Sequence, residues 1–60
     1  MGDILIETQR IGAIVRVVAI DADSGTEVSF QAPATSSPMA LQRLAASKIR
    51  YVVAKKDGRL

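Results

Sequence analysis

Apolar residues return at every second position through the first half of the chain and at every third or fourth through the second. Over residues 3–9, DILIETQ, Ile4, Ile6 and Thr8 fall on one face and Leu5, Glu7 and Gln9 on the other, which predicts a strand. Residues 10–12, RIG, end on a glycine suited to the positive φ of a short hairpin loop. The strongest strand signal is residues 13–21, AIVRVVAID, dense in β-branched side chains that fit a pleated surface. Residues 22–25, ADSG, predict a second turn, with Gly25 at a left-handed position. Residues 26–32, TEVSFQA, alternate cleanly as a strand with one wet face.

After the linker PATSSP (residues 33–38) the period changes. Ser37 followed by Pro38 predicts a helix N-cap with proline at the first helical position. The helix runs over residues 38–56, about 28 Å at 1.5 Å per residue, and Gly58 supplies a stop. Leu41, Ala45, Ile49 and Val52 share a face, with Leu44 and Val53 on its shoulders; that stripe is expected to pack on the sheet. Lys48 falls at its edge, where a lysine lays its stem on apolar surface and keeps its ammonium in water.

Strand, strand, strand and helix joined by short turns predict one α+β domain over residues 1–60, a three-stranded antiparallel meander with a C-terminal helix on one face (βββα). One helix covers one face. The central strand is apolar on both, so either Ile14, Val18 and Ile20 or Ala13, Val15 and Val17 are left without cover, and alternation alone does not choose between them. An exposed apolar cluster marks an interface. The candidate interface is Ile14, Val18 and Ile20, and the expected partner is a second copy, a homodimer through the open sheet face or an edge strand, or else another protein.

Composition sharpens this picture. Sixty residues bury only ~60% of the surface that the unfolded chain exposes, so self-association is a common remedy. There is no Cys and no His, which removes disulfides, thiolate zinc sites and the usual general base near neutral pH. Serines without a histidine form no Ser-His triad. Asp21, Asp23 and Glu27 resemble the start of a calcium loop, but Gly25 comes one position early and no closing Glu follows; turn chemistry explains these acids more simply. The expectation is a non-enzyme with no cofactor, no metal and no small-molecule substrate. No apolar run approaches the ~18 residues of a membrane span and no signal peptide is evident, so the expected setting is the cytoplasm, away from membrane.

The net charge of +2 hides an asymmetry. Residues 1–34 hold five acids and two bases, a balance of −3; residues 35–60 hold six bases and one acid, a balance of +5. Arg43, Arg50, Lys55, Lys56 and Arg59 are therefore candidate phosphate contacts for weak nucleic-acid binding, the alternative function. The acids in the strands and the scarcity of aromatics, Phe30 and Tyr51 alone, weigh against a nucleic acid on the sheet.

The pieces AID followed by SGTEV, and LQRLA followed by KIRYVVAKK, resemble a family of very short, uncharacterised bacterial proteins, a domain of unknown function, over roughly residues 7–56. The resemblance brings no assigned activity or functional residues. Similar chains sometimes carry a serine hydroxymethyltransferase label, which implies a transferase. Such an enzyme needs a lysine for the pyridoxal phosphate Schiff base and a cradle for its phosphate. No Gly-rich cradle accompanies Lys48, Lys55 or Lys56, and the residues disfavour that label.

Overall fold

A computed structural model describes residues 3–56 and residue 58. Three strands, β1 (Ile4–Ile11), β2 (Ile14–Asp21) and β3 (Glu27–Pro33), precede one helix, α1 (Pro38–Lys56). The sheet is antiparallel, in the order β1-β2-β3, so the fold is the α+β meander with a C-terminal helix that the periodicity predicts.

The turns explain where the strands end. Gly12 has φ 62° and Ala13 has a negative φ, so residues 12 and 13 form a two-residue turn whose glycine occupies the first central position. Its twist matches that of the flanking strands. Pairing therefore continues up to Ile11 opposite Ile14, and β1 runs two residues beyond the span expected from alternation. At the second turn Gly25 has φ 71°, and its N–H donates to the Asp21 carbonyl at 2.8 Å. The helix opens as the Ser-Pro pair predicts: Ser37 Oγ accepts from the Ala40 N–H at 3.1 Å, which satisfies one of the free donors of the first turn. It closes with Gly58 at φ 73°, whose N–H donates to the Lys55 carbonyl at 3.1 Å.

Residues directly opposite in an antiparallel pair point to the same side. Val15, Val17, Ala19 and Asp21 point under the helix, together with Ile4, Ile6 and Thr8 of β1 and Val28, Phe30 and Ala32 of β3. Leu41 meets Val15, Val17 and Ala32 at one end of the sheet. Ala45 and Ile49 meet Ala19 further along, with Ile4, Val28 and Val53 around them. Two alanines at the closest approach let the helix backbone come near the sheet. Leu44, on the shoulder of this stripe, is 41% exposed. It lies about 60° from Leu41, about 100° from Ala45 and about 140° from Ile49 around the helix, at the edge where the sheet's cover ends. Lys48 follows its expected path along the apolar edge: its Nζ sits 5.4 Å from the centroid of the Phe30 ring, a cation–π contact.

Among the described residues, no helix is long and apolar enough to cross a membrane.

Candidate functional site

The central strand resolves its own ambiguity. Val15, Val17 and Ala19 are buried beneath α1, and Ile14, Val18 and Ile20 stand on the side without a helix. The register extends this second face across all three strands in four rows. Leu5, Ile20 and Glu27 form one end; Glu7, Val18 and Ser29 follow; then Gln9, Arg16 and Gln31; then Ile11, Ile14 and Pro33 at the other end.

Two of these side chains were not among the residues singled out from the sequence. Leu5 is 61% exposed and Ile11 is 51% exposed. They flank Ile20 and Ile14, so the apolar surface is wider than the central strand alone. The signal for Leu5 was its alternation in DILIETQ; Ile11 was hidden by its place in the predicted turn. Ile14, Val18 and Ile20 are half-buried, and among the described residues no helix or strand lies over them. Between the apolar ends is a shallow depression of about 200 Å³ lined by Glu7, Thr8, Gln9, Arg16 and Val18. The face is thus mainly apolar at its two ends, with Glu27 at one corner, and mainly polar in the middle, where Val18 stands among Glu7, Gln9 and Arg16.

The basic residues are arranged differently. Arg43 and Arg50 lie seven apart on one stripe of α1, and both are exposed. Lys55 is about 140° further around the helix from Arg50, and Lys56 ends the last turn. Arg59 lies outside the described residues. The fold therefore distributes these cations around the helix and does not gather them into one phosphate-facing patch. Among the described residues, no cluster of three or more acidic, His or Cys side chains is placed to hold a metal ion.

Of the acids about the second turn, Asp21 has a structural task. Asp21 is 2% exposed. Its Oδ2 accepts from the Ser24 hydroxyl at 2.7 Å and from the Ser24 N–H at 3.3 Å. Ser24 Oγ also stands 2.7 Å from Thr26 Oγ1 and accepts from the Thr26 N–H at 3.2 Å. The Ser24 hydroxyl bond holds the Asp21 carboxyl below its ordinary pKa of 3.8; burial pushes the other way, and the backbone N–H groups of Ser24 and Asp23 help outweigh it. Asp21 Oδ1 is buried with no hydrogen-bond partner among the described residues.

A lowered carboxyl pKa in the folded state stabilises the fold fully above the unfolded value. The contribution disappears as pH falls through the folded value, below 3.8. Asp21→Asn is expected to be less stable than the parent at neutral pH, with the difference shrinking below about pH 4. Thermal melts of both proteins at matched pH values check this, and parallel melting profiles down to pH 2 would refute the assignment.

Residues 1–56 match the family model described as a domain of unknown function (DUF6898). The chain belongs to this family. The match spans all three strands and the helix, so the DUF6898 domain is the whole βββα unit and not a part of it. Comparison with curated proteins gave no match, and comparison with solved structures gave none. What a DUF6898 domain does must therefore be argued from its own surfaces.

Proposed function

We propose that this domain is a self-association module that works through its open sheet face. The observation that carries the proposal is the order of side chains on that face: Leu5 with Ile20 at one end and Ile11 with Ile14 at the other, and Glu7 and Arg16 beside Val18 in the two central rows.

Such an order is complementary to itself. Two copies stacked face to face about an axis across the strands, which reverses the strand direction, bring Leu5 over Ile11 of the second copy and Ile20 over its Ile14. Glu7 then stands beside Arg16 of the second copy, and no like charges are opposed. The other two-fold arrangement, with the axis along the strands, sets Arg16 on Arg16 and is disfavoured. A closed two-fold pair uses one patch twice, as this face requires. Stacked sheets pack with their strand directions within about 30° of each other, which keeps end over end and middle over middle.

From strand spacing and rise, the face measures about 14 × 26 Å. In plan this is about 360 Å² per copy, below the range of standard specific interfaces and in that of weak, transient pairs. The expected dimer is therefore concentration-dependent, with monomer populated when dilute. Sedimentation equilibrium over a concentration series tests this: the mass rises from that of one chain, 6.4 kDa, towards twice that value. A constant single-chain mass up to millimolar concentration would reject the proposal.

A further inference from the structure

The outer side of α1 carries a second surface that neither the core nor the open sheet face uses. Ala40, Leu44, Ser47 and Tyr51 succeed one another at spacings of four, three and four residues and are all exposed. This is the a/d pattern of a coiled-coil seam, with Leu44 and Tyr51 as its large knobs and Ala40 and Ser47 as small residues that admit a close neighbour. Leu44 and Tyr51 are large apolar side chains, and Tyr51 is 59% exposed.

Cations flank this seam on both sides. Arg43 and Arg50 stand one position before each knob, and Lys48 and Lys55 stand four after, the g and e positions of the heptad. No Asp or Glu occurs anywhere in Pro38–Lys56. None of the four flanking cations takes part in a side-chain hydrogen bond among the described residues, and three of them, Arg43, Arg50 and Lys55, are uncommitted, while Lys48 rests its ammonium over Phe30. In coiled coils the e and g charges set the choice of partner.

We propose that this seam docks an amphipathic helix of another protein whose apolar stripe is bordered by acidic residues. A second copy of α1 is disfavoured, since it would set cations against cations. Leu44 and Tyr51 lie between the two cation rows, where a phosphate backbone would leave them idle. Two large side chains also make too narrow a stripe for a helix that floats in a membrane surface, which needs a broad apolar face. A facing helix uses both features together: leucines against Leu44 and Tyr51, carboxylates against the arginines and lysines.

The test uses the full chain and a fluorescently labelled synthetic helix of three heptads, with Leu and Ala at a and d and Glu at e and g. Anisotropy should show saturable binding that weakens with salt. Leu44→Ser and Tyr51→Ser should each weaken it about tenfold, as loss of one buried anchor implies, and Arg43→Glu with Arg50→Glu should abolish it. All these positions are exposed, so circular dichroism of the variants should match the parent. A scrambled peptide of the same composition should bind at least tenfold more weakly. No binding, equal binding of the scrambled peptide, or indifference to Leu44→Ser and Tyr51→Ser would overturn the proposal. So would tighter binding to a DNA duplex or to vesicles rich in phosphatidylserine, with no dependence on Leu44 and Tyr51.

Discussion

Ile20→Glu is expected to hold the protein as a monomer at concentrations where the parent pairs. In the face-to-face arrangement Ile20 rests on Ile14 of the second copy, at an apolar end of the face. The substitution removes that apolar burial and brings a carboxylate there instead, beside Glu27 of the same row. A two-fold interface meets every substitution twice. At ~2 kcal/mol or more per site the total is ~4 kcal/mol, about a thousandfold rise in the dissociation constant. The fold should survive, because Ile20 lies outside the core beneath α1 and is half-exposed in the single chain. Sedimentation equilibrium gives the mass, and circular dichroism gives the fold. An unchanged mass with an unchanged spectrum would remove the open face from the interface.

Ile49→Ala is expected to undo the fold itself. Ile49 is fully buried, the largest side chain to be so, and it sits over Ala19 with Ile4, Val28 and Val53 packed nearby. Loss of a buried Ile to Ala costs about 2–5 kcal/mol, from lost burial and the cavity left behind. A domain of 60 residues has roughly 3–9 kcal/mol in total, at 0.05–0.15 kcal/mol per residue. Neighbours as small as Ala19 and Ala45 cannot fill the space without moving the helix. The variant should lose most of its helical signal at 25 °C or melt at least 10 °C lower. A loss below 1 kcal/mol would mean that α1 is held by something other than this contact.

The alternation in DILIETQ and TEVSFQA, the β-branched run in AIVRVVAID and the Ser-Pro start of the helix made the whole element order legible in the sequence. The boundary of β1 was less so. Its last two residues, Arg10 and Ile11, belong to the strand because a glycine in the first turn position lets pairing run to the tip, and glycine alone does not reveal which turn it will make. The helix stripe was legible too, but not how far its Leu44 shoulder stays exposed. That exposure depends on how narrowly α1 sits on the sheet, and the two alanines at the contact set that. The parity of β2 could not be read at all, since both faces of that strand are apolar. Only the register with Ile4, Ile6, Phe30 and Ala32, whose own partners are unambiguous, turns Val15, Val17 and Ala19 inward.

The helix lies on one side of the sheet only. If two copies meet through their bare faces, the layers run helix, sheet, sheet, helix, with the sheets about 10 Å apart. The two outer helices then look in opposite directions. A single rigid molecule could not grip both at once, so pairing would bring no avidity towards one target. It would instead place two separate targets on opposite sides of a thin spacer. Pairing would then make the domain a bridge, and its dilution would switch the bridge off.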